Sequence, residues 1–418
     1  MKIIHSADWH LGHELHGFNR YVEQEAFLQW LTKTLVEQQI DVLIVAGDIF
    51  DTVNPSAAAL KQLFGFIRES RRQIPHLQTI LIGGNHDSAS RMEAPNPLFE
   101  QFGVHSIGRL PRHGDDVNWQ KLLIPLFDKH GKERAILAAI PYLRQADLPP
   151  PSTFDGDPLI EGVRWIYKEA VTTAQKQLKT DCGLILTGHC YMHGGEISKL
   201  SERRIFGGGE HALPADIFPK NIDYVALGHL HKGQRVGGRE EIRYSGSPLP
   251  LSVTERNYHH GVRAITMDES GRVKKQESIA VPRTVPYLRI PKQGSLPLPD
   301  ALDALKNLAL EPIDPGLDLR PFLEVVIKLD GPEPGLRSHI DQALEGKAVR
   351  LAGIQAITEG AAGSLADNTQ ASSLDEIKPE KVFRLIHQKK YNREPDPALN
   401  KAFAEILEDL LNPTGHGS

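Results

Sequence analysis

Five apolar segments of this chain end in side chains that commonly bind metal ions. The clearest segment runs Asp-Val-Leu-Ile-Val-Ala-Gly from Asp41, and Asp48 follows Gly47 directly. Polar ligands that follow strands gather at the carboxyl edge of an α/β sheet. One such residue more often ends a turn, but five repeats of the pattern favour a metal site. The candidate ligands are Asp8, His10, Asp48, Asn85, His189, His229 and His231.

The donor atoms of this set restrict the metal and the reaction. Carboxylate, amide and imidazole groups suit Mn²⁺, Fe²⁺ or Zn²⁺ better than metals that prefer thiolates. Seven ligands exceed the needs of one ion with an open position, and they fit two ions that share Asp48 as a bridge. Two ions roughly 3.5–4 Å apart stabilise in-line displacement at phosphorus. We therefore expect a dinuclear phosphoesterase centre.

Two further residues are candidates for catalysis. His86 follows Asn85 but is not needed as a ligand, and we assign it as the general acid for the leaving oxygen. Asp51, three residues after Asp48, is expected to hold the His86 imidazole and favour its protonated form. The alternative for His86 is a residue that only caps the turn.

The elements that position these residues are predicted to be α/β. The segment before Asp48 is apolar throughout, which is typical of a strand buried on both faces. Residues 19–39 carry a helical apolar stripe, so a βαβ unit leads into that strand. Asn54-Pro55-Ser56 opens a second helix to about Ser70. Its wide apolar stripe indicates either a core-facing helix or a dimer interface.

With 418 residues the chain is too long for one compact core. We predict a catalytic domain over 1–280, a small α+β domain over 281–359, a linker over 360–373 and a helical tail over 374–418. In the tail, residues 398–411 place six apolar side chains on one face. That face is expected to dock either on its own domain or on a partner.

Composition excludes several classes of protein. The net charge of −5 argues against a generally basic nucleic-acid surface, so any DNA contact must come from local patches or a partner. No apolar run is long enough to span a membrane, and the first residues lead into a strand rather than a signal peptide. The two cysteines, Cys182 and Cys190, lack metal or redox spacing and are expected to be free thiols in a reducing cytoplasm.

The five segment ends resemble, in order, the motifs of the calcineurin-like metallophosphoesterases. These motifs are Asp-x-His, Gly-Asp-x-x-Asp, Gly-Asn-His-Asp, Gly-His and Gly-His-x-His. The resemblance implies a four-layer fold in which a two-sheet β-sandwich is flanked by helices, with two metal ions at one sheet edge. The small α+β domain and the helical tail would be additions to that fold.

Within this superfamily the chain resembles the SbcD family of bacterial nucleases over nearly its whole length. Tyr244-Ser-Gly-Ser-Pro-Leu-Pro250 and His5-Ser-Ala-Asp8-Trp-His10 are among the stretches that carry the likeness. The resemblance implies one ion bound by Asp8, His10, Asp48 and His231, and another bound by Asp48, Asn85, His189 and His229.

The same resemblance implies an activity and partners. The activity would be a Mn²⁺-dependent DNA endonuclease and 3′→5′ exonuclease that processes ends, hairpins and breaks in repair, recombination and replication. The 281–359 domain would cap the site and bind DNA. The partner would be SbcC, a coiled-coil ATPase, with two copies of each subunit in a cytoplasmic, nucleoid-associated complex. Helices near 55–70 and 95–102 would form the homodimer contact, and the tail would dock on the coiled coil.

Two other functions share these observations. A small-substrate phosphodiesterase or phosphatase would use the same metal site, although the added domain and tail count against it. A non-catalytic assembly subunit would be expected to lack ligands, and all seven are present.

Overall fold

The computed structural model describes residues 1–114, 116–150, 155–196, 198, 212–310, 318–331 and 333–358. The predicted linker and tail lie outside the described residues. One compact unit consists of Met1–Ile327 with Pro334–Ala356, and a second consists of Lys328–Glu333 with Ile357–Ser418. The two large sheets and the site between them belong to the first unit.

The structure contains a succession of short strands and helices whose bounds define the labels used below. The strands are β1 Lys2–Ser6, β2 Glu14–Leu15, β3 Phe18–Asn19, β4 Val42–Ala46, β5 Gln78–Ile82, β6 Val104–Ile107, β7 Arg112–His113, β8 Asp116–Val117, β9 Leu123–Phe127, β10 Glu133–Ala138, β11 Gly183–His189, β12 Tyr224–Gly228, β13 Gln234–Val236, β14 Arg239–Tyr244, β15 Gly261–Met267, β16 Val273–Ala280, β17 Tyr287–Ile290, β18 Leu296–Pro297, β19 Phe322–Leu329 and β20 Arg350–Thr358. The helices are α1 Tyr21–Glu37, α2 Ala57–Gln73, α3 Ala89–Glu93, α4 Asn96–Phe99, α5 Pro158–Gln175, α6 Leu298–Lys306 and α7 Leu336–Ala343.

Two six-stranded sheets form the centre of the first unit. The first has the order β16-β15-β1-β4-β5-β6, and the second has the order β13-β14-β12-β11-β10-β9. In the first sheet β1, β4, β5 and β6 are parallel, and in the second β10, β11, β12 and β14 are parallel. The parallel strands of each sheet therefore deliver their carboxyl ends to one edge.

Alternate residues of the buried strands face different layers. In β4, Val42 and Ile44 belong to the core that also contains the second sheet, whereas Leu43 and Val45 pack with α1 and α2. Helix α5 packs on the second sheet, so helices cover both sheets. This is the predicted four-layer arrangement, and the all-apolar sequence of β4 follows from burial on both faces.

Helix α2 begins where the sequence predicts. Ser56 is its N-cap, and its hydroxyl accepts a hydrogen bond from the Ala59 amide at 3.2 Å. An N-cap hydroxyl satisfies one of the amides that a helix start leaves without a partner. One face of α2 packs in the core through Leu63, Phe66 and Ile67, while Phe64 remains 42% exposed. The wide apolar stripe thus exceeds what the core covers.

A third sheet is formed by β17, β19, β18 and β20, with α6 and α7 beside it in sequence. It follows the strand-helix-strand-helix-strand pattern predicted for the small α+β region. The domain boundaries at residues 280 and 359 stay predictions. Among the described residues no helix combines the length and apolar character that a membrane span needs.

The segment 109–132 differs from the polar hairpin or insertion that the sequence suggests. Its first part is a short hairpin of β7 and β8, but its second part is β9, which pairs antiparallel with β10. Leu123, Ile124 and Leu126 of this strand are buried. Half of the segment is therefore an edge strand of the second sheet.

Candidate metal centre

Two neighbouring loops carry the first carboxylates of the site. The loop after β1 and the loop after β4 run side by side, because the Asp8 amide donates to the Gly47 carbonyl and the His10 amide to the Asp48 carbonyl, both at 3.0 Å. Asp8, His10 and Asp48 have positive φ angles of 56°, 45° and 50°. Such conformations are unfavourable for side chains other than glycine and concentrate at functional sites.

Glycines allow the two sheets to meet at this edge. A Cβ atom on Gly84 would lie 2.1 Å from Asp48 Oδ1, and a Cβ atom on Gly228 would lie 1.8 Å from the Ala46 carbonyl oxygen. Only a residue without a side chain fits at such distances. The glycine that precedes a ligand in each segment therefore makes room for ligands from the opposite sheet.

Asp48 lies at the middle of the cluster and is 2% exposed. Its Oδ2 atom is 3.6 Å from His10 Nε2 and 3.2 Å from His189 Nε2, so one oxygen lies between ligands of the first and the second predicted ion. Its Oδ1 atom accepts a hydrogen bond from the His86 amide at 2.8 Å. This position is the one expected of a bridging carboxylate.

On one side of Asp48, donor atoms of Asp8, His10 and His231 lie within 4.8 Å of one another. All three residues are buried. Asp8 Oδ2 and His10 Nε2 are buried without a hydrogen-bond partner among the described residues. Because a buried polar atom without a partner is costly, these two atoms indicate a cation site.

On the other side, donor atoms of Asp48, His189 and His229 lie within 4.8 Å of one another. Asn85 Oδ1 adds a fourth donor, 2.9 Å from His189 Nε2 and 3.3 Å from His229 Nδ1. Ligands bound to one ion at about 2.1 Å lie roughly 3–3.5 Å apart. The separations fit a shared ion.

The electrostatics of the cluster favour a positive charge. Burial alone would lower the pKa of His189, but the carboxylate of Asp48 raises it to about 9. Burial would likewise raise the pKa of Asp48, yet the charge and hydrogen bond of His189 hold it below its usual range. The carboxylates thus stabilise a cation at this point, and the donor set fits divalent ions.

A ring of outer contacts fixes the ligands. Glu255 is fully buried, and its Oε1 atom is 2.8 Å from His231 Nδ1. Its Oε2 atom accepts a hydrogen bond from the Leu251 amide at 2.7 Å. His189 Nδ1 is 2.9 Å from the Ala46 carbonyl oxygen. Such partners orient a ligating imidazole and raise its basicity.

Asp51 does not hold His86 through its carboxylate, as the sequence suggested. Its Oδ1 atom is 3.1 Å from His10 Nδ1, and its main-chain carbonyl oxygen is 2.7 Å from His86 Nδ1. Burial lowers the pKa of His86, so its protonated form is not favoured by these contacts alone. Three residues of loop separate Asp51 from Asp48, which brings its side chain to the neighbouring β1 loop instead.

Asp87 is a structural member of the site that sequence reasoning left unassigned. Its carboxylate accepts hydrogen bonds from the amides of Ile49, Phe50 and Gly84 at 2.9–3.1 Å, which ties the Asp48 loop to the Asn85 loop. Burial, followed by the charge of Asp48, raises the pKa of Asp87 to about 6. Its place directly after His86 was the available signal, whereas no local pattern marked Glu255.

We expect Glu255→Ala to weaken metal binding without unfolding the protein. Loss of an outer carboxylate typically lowers metal affinity 10- to 100-fold, because the ligating histidine loses its orientation. Competition against a fluorescent chelator measures this affinity. Exposed Glu269 is the control, and its replacement by Ala should leave the affinity unchanged. Equal affinity of the Glu255→Ala and unaltered proteins would contradict the role of this carboxylate.

Comparison with known protein families gives two matches along the chain. The calcineurin-like phosphoesterase family matches residues 1–233. The type 5 capsule protein repressor C-terminal domain matches residues 283–391. The first match contains every candidate ligand and both catalytic candidates.

Curated proteins similar to this chain share one name, which describes them as the SbcD subunit of the nuclease SbcCD. The protein from Rhodobacter capsulatus is 42% identical over 360 residues, which cover 85% of this chain and 87% of the relative. The protein from Escherichia coli K12 is 30% identical and aligns over 98% of both chains. The protein from Bacillus subtilis is 35% identical over 63% of this chain and 66% of its own length.

Proposed function

The chain belongs to the calcineurin-like phosphoesterase family and, within it, to the SbcD nuclease subunits, and from this membership we propose that it hydrolyses DNA at a two-metal centre. The enzyme is a metal-dependent phosphodiesterase. We further propose Mn²⁺ as its metal, and endonuclease and 3′→5′ exonuclease activity on DNA ends, hairpins and breaks.

One observation carries the proposal of a dinuclear centre. Asp48 Oδ2 lies between His10 and His189, whose Nε2 atoms are 3.6 and 3.2 Å away. We assign Asp8, His10, Asp48 and His231 to one ion and Asp48, Asn85, His189 and His229 to the other. Two bound ions would supply Lewis-acid stabilisation of the phosphoryl charge and a water of lowered pKa.

The protein's own groups supply orientation and a proton. The Asp51 carbonyl accepts the His86 Nδ1 proton at 2.7 Å, which fixes the ring and leaves Nε2 for the leaving oxygen. Asn85 and His86 are partly exposed, whereas Asp8, Asp48, His189 and His229 are buried. A phosphodiester therefore approaches from the side of Asn85 and His86.

Cleavage after metal removal tests this function. The chelated protein should cut neither a linear DNA duplex nor bis(p-nitrophenyl) phosphate, and added Mn²⁺ should restore cleavage of both. Restored cleavage of the small diester without any cleavage of linear or hairpin DNA would favour a small-substrate phosphodiesterase instead. Chelator-resistant cleavage would contradict a metal centre.

We propose that the chain acts with SbcC, since the relatives are named as one subunit of SbcCD. The tail at 374–418 is the segment that we assign to the SbcC coiled coil. Its helix at 398–411 lies outside the described residues, so the assignment follows from its apolar stripe and the family resemblance. Two copies of each subunit, associated with the nucleoid, complete the proposed assembly.

A surface of exposed apolar residues supports the proposed homodimer. Phe64 of α2 is 42% exposed, Leu98 of α4 is 64% exposed, and Phe102 just beyond α4 is 40% exposed. Phe64 contacts Phe99 with ring centroids 5.9 Å apart, so α2 and α4 present one continuous patch. Contiguous exposed apolar patches are characteristic of protein–protein contacts.

We expect the double variant Phe64→Glu, Leu98→Glu to be a monomer. Two buried carboxylates without partners would oppose association because their desolvation is not compensated. Light scattering after size exclusion should then give about 46.4 kDa, the mass of one chain, instead of twice that mass. Ile357→Glu alters a comparably exposed residue elsewhere and serves as the control. A double variant of unchanged dimeric mass would contradict this interface.

A further inference from the structure

The loop that follows β10 reaches the metal centre from the side of His189. The Tyr142 amide donates a hydrogen bond to the Gly83 carbonyl at 2.8 Å, which fixes the loop to the end of β5. The Tyr142 ring meets the His189 ring edge-on, with centroids 6.3 Å apart and an angle of 86°. A partly exposed aromatic ring therefore borders a proposed metal ligand.

Arg144 extends this border away from the ligands. Its Cζ atom lies 5.6 Å from the centroid of the Tyr142 ring, a cation–π contact. The guanidinium has no carboxylate partner among the described residues. The neighbouring Asp147 carboxylate instead accepts a hydrogen bond from the Arg144 main-chain amide at 2.8 Å. The donors of this cation are thus available to an anion.

The backbone beneath Arg144 is held from two directions. The Asp147 amide donates to the Arg144 carbonyl at 2.8 Å, which closes a turn. Arg112 of the short hairpin donates through Nη2 to the Asp147 carbonyl at 3.0 Å. The hairpin in segment 109–132 therefore supports the loop that carries Tyr142 and Arg144. A held backbone reduces the entropy lost when a ligand is bound.

We propose that Tyr142 and Arg144 form a subsite for the nucleotide that flanks the scissile phosphate, an inference that rests on the proposed nuclease function. The Arg144 guanidinium binds the flanking phosphate, because its planar donors match phosphate oxygens. The Tyr142 ring holds the guanidinium and offers an apolar surface to the sugar or base. In a chain of net charge −5, such a local cation beside the metals gives a polynucleotide its contact.

Kinetics on two substrates test the subsite. A DNA oligonucleotide has flanking phosphates, whereas bis(p-nitrophenyl) phosphate has a single phosphate. Arg144→Ala should lower kcat/KM on the oligonucleotide roughly 10- to 100-fold, mainly through KM, since a hydrogen bond to a charged group is lost. The loss on the small diester should be at least tenfold smaller. The slope of log KM against log salt concentration should fall by about one.

Two further variants separate a phosphate contact from a loss of structure. Arg144→Lys keeps the charge but not the planar fork, so it should recover part of the lost kcat/KM on DNA. Arg272→Ala removes an equally charged residue beside Asp223, near the opposite end of the second sheet, and should leave both substrates unaffected.

The outcomes distinguish this subsite from the proposed function. Equal losses on both substrates after Arg144→Ala, or unchanged cleavage of DNA, would overturn the subsite while leaving the two-metal centre intact. Failure of the unaltered, metal-loaded protein to cleave either substrate would instead overturn the proposed function, and the subsite with it.

Discussion

Replacement of Asp48 by Asn should remove both metal ions together and abolish cleavage. One carboxylate oxygen lies between ligands of the two proposed ions, so the loss of its charge weakens both sites at once. Two-metal stabilisation contributes several kcal/mol to the transition state, and its loss corresponds to roughly a 10³-fold or greater fall in rate. Metal content by plasma emission and cleavage of bis(p-nitrophenyl) phosphate measure the two effects.

Asp41→Asn is the matched control for this variant. Asp41 lies just before the opposite end of β4, is also buried, and accepts hydrogen bonds from the amides of Lys2 and Lys129 at 2.7 and 2.8 Å. Its replacement should affect stability but not metal content. An Asp48→Asn protein that keeps one tight, stoichiometric ion would rule out Asp48 as a bridge.

The second large effect is expected from His86→Ala, which should keep both ions and lose most cleavage. The proposed role of His86 is to give a proton to the leaving oxygen, and removal of one acid or base group lowers a rate roughly 10²- to 10⁴-fold. Its imidazole is held by the Asp51 carbonyl and lies edge-on to His10, with centroids 4.9 Å apart. Metal content and kcat should be measured on the same preparation.

This measurement also resolves a geometric ambiguity. Donor atoms of His10, Asp48 and His86 lie within 4.8 Å of one another, so His86 is close enough to be a ligand. If the metal content fell in proportion to activity, His86 would be a ligand rather than a proton donor. His130→Ala changes an exposed histidine and controls for non-specific binding of metal to imidazole.

The sequence predicted the ligands well because each ligand directly follows its own strand. A short local pattern, apolar residues and then glycine, placed Asp48, Asn85 and His189 at strand ends, and the parallel order of the strands brings those ends together. The contacts around the ligands were less predictable. Glu255 reaches His231 from 24 residues away, and no local pattern marks such a contact. The carboxylate of Asp51 contacts His10, from a loop that sequence spacing alone does not place.

The fold shows the same division between local and long-range information. The helical stripes gave α1, α2 and α5 to within a few residues, since a periodic apolar face is a local property. Strand β9 was missed because Pro125 interrupts its apolar run. Proline is tolerated on an edge strand, and β9 lies at the edge of the second sheet. Edge position is decided by strand order, which the local sequence does not specify.

Anomalous X-ray diffraction from crystals grown with Mn²⁺ is the most direct test of the dinuclear centre. We predict two peaks roughly 3.5–4 Å apart on either side of the Asp48 carboxylate. One peak should be surrounded by Asp8, His10 and His231, and the other by Asn85, His189 and His229. A single peak at full occupancy, or peaks that Asp48 does not touch, would contradict the two-metal centre.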